Sequence, residues 1–143
     1  MTVYKETNPK DILGMKKAPL STVPMGPLYE VGLAMLEGAL KYGRHNYRKI
    51  GVRSSVYVDA AMGHIASFWE GEDIDPESGI HHLIKAAACL FVLRDSILMG
   101  NHNDDRPPRY PNGTNQMRNN PIVSELLAKY PNPIEPFTNI ERV

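Results

Sequence analysis

The chain has 143 residues, enough for one domain with its own core. Its 16 Lys and Arg residues balance 16 Asp and Glu residues, which excludes a global basic field for nucleic acid or an anionic membrane. The single cysteine, Cys89, excludes an internal disulfide and suits a reducing compartment. With no charged-then-apolar leader and no membrane-length apolar run, we expect a soluble cytoplasmic protein.

Residues 1–26 lack sustained periodicity and are interrupted by prolines, which predicts an extended arm with little regular structure. Lys16 and Lys17 lie in this arm and are candidates to contact a polyphosphate. A solvated basic arm would have the same composition.

The first helix is predicted from Pro27 to Tyr42, because proline suits a first helical turn and Gly43 suits a stop. One apolar stripe consists of Leu33, Leu36 and Leu40. A second line, at offsets of four, three and four, consists of Glu30, Ala34, Glu37 and Lys41. This line is either a surface ion pair or a ligand-facing row, with Glu30 on a metal ion and Lys41 on phosphate.

The link 43–54 is short and basic, and places Asn46 and Tyr47 among cations that include Lys49. An amide and an aromatic ring among cations suit a base and a phosphate, although a polar inter-helix loop has the same composition. The second helix is predicted over Ser55–Glu70, with Ser54 or Ser55 as cap and Gly71 as stop. His64 lies beside its apolar stripe, as either a boundary residue or a ligand.

The stretch from His64 to His82 carries three histidines and five carboxylates within 19 residues. The carboxylates are Glu70, Glu72, Asp73, Asp75 and Glu77. Oxygen-rich ligands near imidazole suit Mg²⁺ or Mn²⁺, and a cation relieves the repulsion among clustered carboxylates. The alternative is a solvated acidic loop whose residues cap helices.

The third helix is predicted from Pro76 to Met99, because Asp75, Pro76 and Glu77 form a strong start signal. Residues 86–93 are apolar on all sides, and this favours burial against a second subunit. The remaining residues, 101–143, form an irregular arm with a short amphipathic helix over Ile122–Tyr130. The sequence thus predicts one all-α domain, with a helical core at 27–100 between two arms.

Phosphate-loop, dinucleotide, nucleophile-elbow and HExxH motifs are absent from the sequence. The chemistry that remains is metal-assisted hydrolysis, in which carboxylates hold a divalent ion and the ion activates water. A helical bundle can form such a site from facing helices.

Four ordered strings resemble the phage dATP/dGTP diphosphohydrolase family, a MazG-like nucleotide pyrophosphohydrolase family also called MazZ. They are NPKD at 8–11, KKAPLSTVP at 16–24, GALKYGRHNYRK at 38–49 and GHIASFWEGEDIDPESGIHHLIKAA at 63–87. The resemblance implies an oligomeric all-α MazG-like bundle that cleaves dGTP, or dATP, to the monophosphate and pyrophosphate with Mg²⁺ or Mn²⁺. It also implies a role in the nucleotide pool for 2-aminoadenine DNA.

Site residues follow from this resemblance together with the patterns above. Catalytic candidates are Glu72, Asp75, His64 and His82. Metal-ligand candidates are Glu30, Glu72, Asp75 and Glu77. Substrate-binding candidates are Lys16, Lys17, Lys41, Asn46, Tyr47 and Lys49. A further histidine that the family pattern places one turn after His82 is Lys85 here. The competing hypothesis is a non-catalytic helical assembly or adaptor protein, in which the acidic residues only cap helices.

Overall fold

The computed structural model describes residues 8–139, which contain seven α-helices and no β-strand. The helices are α1 (Pro9–Gly14), α2 (Met25–Tyr42), α3 (Asn46–Ile50), α4 (Ser54–Trp69), α5 (His82–Met99), α6 (Asn115–Arg118) and α7 (Ile122–Lys129). A 3₁₀ turn, Leu20–Thr22, precedes α2. The all-α prediction is therefore confirmed for the described residues. None of their helices has the length and hydropathy of a membrane span.

The chain divides into two compact units between Arg106 and Pro107. Helices α1 to α5 belong to the first unit, and α6 and α7 belong to the second. Residues 1–7 and 140–143, the outer parts of the two predicted arms, lie outside the described residues. That the 143 residues act as one domain with a core at 27–100 stays a prediction.

Helix α5 is the centre of the first unit, since it contacts α2, α3 and α4. Its buried residues include Ile84 and Ala88, which pack against Val31 and Ala34 of α2. The small side chains allow these two helices to approach closely, and the interface continues into partly buried Met35. The first turns of α5 are thereby held against α2 and α4.

Helix periodicity located α2, α4 and α7 to within two residues at each end. Three short helices were missed, the four-residue α6 among them. Helix α1 begins at Pro9 after Asn8, whose side chain accepts a hydrogen bond from the Lys10 N–H. Helix α3 lies within the predicted loop, between Gly43 and Gly51, and both glycines have positive φ. Six- and five-residue helices are too short to give a periodic signal.

The predicted start of the third helix at Pro76 is wrong, because α5 begins at His82. The Asp75 carboxylate does accept a hydrogen bond from the Glu77 N–H, as a cap would. The backbone then turns back: the Gly79 N–H donates to the Asp75 carbonyl and the Asp75 N–H donates to the Ile80 carbonyl. Gly79, at φ 75°, supplies the left-handed residue of this turn. Asp-Pro-Glu therefore starts a turn, and His81 caps α5 by accepting from the Leu83 N–H.

A polar network fixes α3 against the last turn of α5. The Ser96 hydroxyl, fully buried, donates to the Asn101 side-chain carbonyl, and the Asn101 amide donates to the Arg48 carbonyl at 2.8 Å. The Arg48 guanidinium also binds both oxygens of Asp95, at 3.0 and 2.9 Å. These contacts place Asn46 and Tyr47, at the start of α3, beside the cleft described below.

Candidate metal centre and adjoining cleft

Three side chains from separate elements converge in the first unit: His64 of α4, Asp75 of the turn and His82 at the start of α5. One ligand atom from each lies within 4.8 Å of the others. His82 is 4% exposed and Asp75 is 9% exposed, while His64 is half-buried. Two imidazoles and one carboxylate, held away from bulk water, form a candidate metal centre.

The turn between α4 and α5 brings Asp75 and His82 together. Ile74 and His81 form an isolated antiparallel bridge, and the His82 N–H donates to the Asp73 carbonyl at 2.8 Å. The chain therefore returns on itself before α5 begins. Asp75 and His82 are seven residues apart in sequence but lie in the same cluster. A helix starting at Pro76 could not bring them together in this way.

Glu72 fixes the tautomer of His82. The Glu72 Oε1 atom lies 2.6 Å from His82 Nε2. A carboxylate can only accept, so Nε2 carries a proton, and in the neutral ring the lone pair is then on Nδ1. That Nδ1 faces His64 Nδ1 at 2.8 Å. Glu72 is therefore placed to orient His82 toward an ion, should the candidate metal centre hold one.

The donor set fits a divalent metal ion. Two metal–nitrogen bonds of about 2.1 Å at right angles place the nitrogens about 3 Å apart. The observed separation of 2.8 Å between the two Nδ1 atoms is close to this value. Burial, then the charge of Lys85 and the neighbouring His82, lower the pKa of His64, which favours the neutral ring that binds metals. The Asp75 carboxyl supplies negative charge, because the Glu77 N–H and Lys85 outweigh its burial and lower its pKa.

Lysines and carboxylates form an ion-pair network beside this cluster. Lys85 Nζ hydrogen-bonds Glu37 Oε1 and lies 3.7 Å from Asp75 Oδ2. Lys41 Nζ lies 3.8 Å from the other Glu37 oxygen and 3.6 Å from Glu77 Oε1. Burial opposes the charge of Lys85, but the hydrogen bond and charge of Glu37, with further carboxylates, raise its pKa. Lys85 is therefore an ammonium at neutral pH.

A cleft of about 380 Å³ opens next to the network. Its polar lining includes Lys41, Asn46, His64 and Lys85. Its apolar lining includes Met35, Ala88, Cys89 and Val92. His64 belongs both to the candidate metal centre and to the cleft lining, so the two adjoin at this residue, whereas Asp75 and His82 are not among the lining residues. The volume lies within the range of small-molecule sites.

Residues 7–106 match the family model described as dATP/dGTP diphosphohydrolase, N-terminal. The match covers more than half of the chain. The chain belongs to this family. A protein of Salmonella phage PMBT28 named dATP/dGTP diphosphohydrolase is 34% identical over 77 residues, which are 54% of this chain and 26% of that protein. The chain therefore matches about a quarter of that relative's length. No solved structure matches the chain.

The structure brings several of the predicted site residues together. His64, Asp75 and His82 form the cluster, and Glu72 contacts His82. Glu77 reaches the network through Lys41. Lys41, Asn46 and Tyr47 all line the cleft. The aromatic–amide pair at the start of α3 thus lies beside the lysine of α2.

Other predicted residues lie elsewhere. Glu30 is exposed on α2, outside the cleft lining and the candidate metal centre. Lys16, Lys17 and Lys49 are exposed and are also outside the cleft lining. Of the line Glu30, Ala34, Glu37 and Lys41, the last three face the cleft. The ligand-facing interpretation of α2 therefore fits its second half.

Three further residues of the site were not among the site residues predicted from the sequence. Glu37 and Lys85 meet across 48 residues of sequence, so no local spacing joins them. Tyr57 lines the cleft two turns before His64 on α4, and that seven-residue spacing is the signal that locates it. Burial, then nearby Cys89 and Tyr42, raise the pKa of the Tyr57 phenol.

Proposed function

We propose that the chain is a metal-dependent pyrophosphohydrolase that converts dGTP, or dATP, to the monophosphate and pyrophosphate. The observation that supports this most is that His64 joins the candidate metal centre to a cleft lined by Lys41 and Lys85. A polyphosphate in the cleft would lie between ammonium groups and a metal ion. The name of the phage relative, dATP/dGTP diphosphohydrolase, supports the substrate class.

The ion we propose is Mn²⁺, with Mg²⁺ as the second choice. Two imidazoles and one carboxylate suit manganese better than magnesium, which prefers oxygen ligands. When bound, the ion polarises a phosphoryl oxygen and lowers the pKa of a water molecule. His64, Asp75 and His82 would hold the ion, and Glu72 would keep the His82 lone pair directed at it.

The chain's own residues would bind and orient the nucleotide. Lys41 and Lys85 carry positive charge at the cleft and would contact phosphate oxygens. Asn46 and Tyr47 would contact the base or sugar. We also propose a MazG-like bundle, a homo-oligomer and a role in the host cytoplasm for the phage nucleotide pool of 2-aminoadenine DNA.

Pyrophosphate release tests the proposal directly. The purified chain is incubated with each of the four dNTPs and Mn²⁺, and pyrophosphate and dNMP are measured. We expect release with dGTP or dATP, and loss of release with EDTA. Absence of release with every dNTP would reject the proposal and favour the assembly or adaptor alternative, which also predicts no Mn²⁺-dependent rise in melting temperature.

Adjacent histidines supply a matched pair of variants. His82→Ala removes a candidate ligand and should abolish turnover. His81→Ala removes the cap of α5 and the ring contact with Phe68 but no candidate ligand, so turnover should persist at a reduced melting temperature. Equal activity of the two variants would remove His82 from the proposed site.

A further inference from the structure

Lys85 lies between two carboxylates of different elements. Its ammonium hydrogen-bonds Glu37 of α2 and lies 3.7 Å from Asp75 of the turn. The side chain is 16% exposed, so this pairing is largely shielded from water. Asp75 is also a candidate metal ligand, which places the ammonium directly beside the metal centre.

Glu37 and Asp75 each present a carboxylate oxygen to the same ammonium, and two such oxygens are ligands that a divalent ion could also use. Two-metal phosphohydrolases hold their ions about 3.5–4 Å apart, with carboxylates shared between them. An ammonium hydrogen-bonded to Glu37 and near Asp75 excludes a second divalent ion from the same oxygens, by charge and by volume. We propose that the Lys85 ammonium replaces a second metal ion, so that the site binds a single divalent ion on His64, Asp75 and His82. This inference rests on the proposed function.

The charge of the network supports the same conclusion. Its four carboxylates are Glu37, Glu72, Asp75 and Glu77, and its two ammonium groups are Lys41 and Lys85. Two negative charges remain, and one divalent ion balances them. Loss of the Lys85 charge leaves three and also frees the Glu37 and Asp75 oxygens for a second cation. Loss of the Lys41 charge likewise leaves three, but Lys85 still occupies those oxygens.

Metal stoichiometry of the full chain tests the inference. Mn²⁺ is titrated into the metal-free protein and free Mn²⁺ is followed by electron paramagnetic resonance. We expect one ion per chain for the wild type and two for Lys85→Gln, which keeps a hydrogen-bond donor and removes the charge. Lys41→Gln is the matched control: it removes the other ammonium of the network, which does not contact Asp75, and should bind one ion.

Two further variants make the test specific. Lys85→Arg keeps the charge and should bind one ion. The double variant Glu37→Gln with Lys85→Gln removes the carboxylate that the second ion needs, and should return to one. If Lys85→Gln is unfolded by circular dichroism, Lys85→Met is used in its place, with the same expectation.

The possible failures are distinguishable. Two ions on the wild type, or one ion at unchanged affinity on folded Lys85→Gln, would overturn the inference while Mn²⁺-dependent pyrophosphate release left the proposed function standing. No ion on the wild type together with no pyrophosphate release would overturn both.

Discussion

At the residue scale, the chemistry of the site depends on the proton of His82. The Glu72 carboxylate, although half-exposed, accepts from His82 Nε2, so that the neutral ring carries its lone pair on Nδ1. The sequence placed Glu72 among the metal ligands, whereas the geometry favours a role in orienting His82. The two roles predict different losses of Mn²⁺ binding when the Glu72 carboxylate is removed.

Glu72→Gln should weaken Mn²⁺ binding by about 10–100-fold, since the amide oxygen still accepts from His82 but no longer adds charge. The helical circular dichroism should be unchanged. Glu70→Gln, two residues earlier, is the control and should bind Mn²⁺ as the wild type does. Complete loss of the bound ion in Glu72→Gln would instead identify Glu72 as a ligand. Isothermal titration calorimetry measures the affinity for Mn²⁺ and so distinguishes weakened binding from complete loss of the ion.

The metal-free protein should lose stability on mild acidification because of His64. Burial, then Lys85 and His82, lower the pKa of His64 in the folded state, so below about pH 6.5 the unfolded chain binds a proton that the folded chain does not. Above the pKa of His64 in the unfolded chain, this contribution to the free energy of unfolding is complete. It decreases as the pH falls from that pKa toward the lower pKa of His64 in the folded chain. Urea denaturation in EDTA between pH 7.5 and 5 measures it.

His64→Gln should flatten this pH dependence, because glutamine does not titrate. A slope equal to that of the wild type would show that other groups cause the loss of stability. The comparison is made without metal, since a bound ion would itself compete with the proton for the ring.

At the element scale, local patterns predicted long helices well and their contacts poorly. Pro27 and Gly43 gave the bounds of α2 to within two residues. Its leucine stripe nevertheless does not face the described core: Leu33, Leu36 and Leu40 are 56%, 46% and 79% exposed, while Val31 and Ala34 are buried. Periodicity shows that the faces of a helix differ in polarity. The position of small residues decides which of these faces a neighbouring helix can approach. The Asp-Pro-Glu signal failed for a related reason, because backbone pairing between Ile74 and His81 outweighs a local helix start.

The candidate site was also predictable only in part, because local sequence patterns do not show contacts between elements that are distant in the chain. Clustering of histidines and carboxylates pointed to the segment holding His64, Asp75 and His82. It could not separate Asp75, which the turn buries, from exposed Glu77 in the same segment. The partners of Lys85 come from α2 and the turn, and only the packing of α5 against α2 brings them together.

Two glycines should respond oppositely to alanine. Gly51 has φ 80°, and an added Cβ would lie 2.1 Å from the Asn101 carbonyl oxygen, in the network that holds α3. Gly51→Ala should therefore lower the free energy of unfolding by at least about 1–3 kcal/mol. Gly63, inside α4 with nothing within 4 Å of its Cβ position, should gain about 0.5–1 kcal/mol on change to alanine.

Urea denaturation of both variants beside the wild type checks this pair. Gly63→Ala also serves as the control, since it adds the same methyl group. A Gly51→Ala protein as stable as the wild type would mean that α3 and Asn101 can separate at little cost. In that case Asn46 and Tyr47 would not be held rigidly at the cleft.

At the scale of the whole molecule, the apolar surface of the first unit is the feature that remains to be explained. Besides the exposed stripe of α2, helix α4 also exposes apolar residues, among them Met62 and Trp69. Scattered apolar residues are ordinary on a protein surface, but a stripe along a helix indicates a protein–protein interface. The all-round apolar segment of α5 predicted a second subunit from the sequence, and these exposed faces support the same proposal.

We expect the wild-type chain to sediment well above its monomer mass of 16.0 kDa. The double variant Leu33→Asp with Leu40→Asp places two charges on one face of α2 and should sediment as a monomer with unchanged helical circular dichroism. Exposed positions tolerate such changes within about 0.5 kcal/mol, so loss of assembly would not reflect unfolding. Ile50→Asp, an exposed apolar site on α3, is the control and should leave the mass unchanged. A monomeric wild type would mean that the α2 stripe is not an interface between copies of this chain.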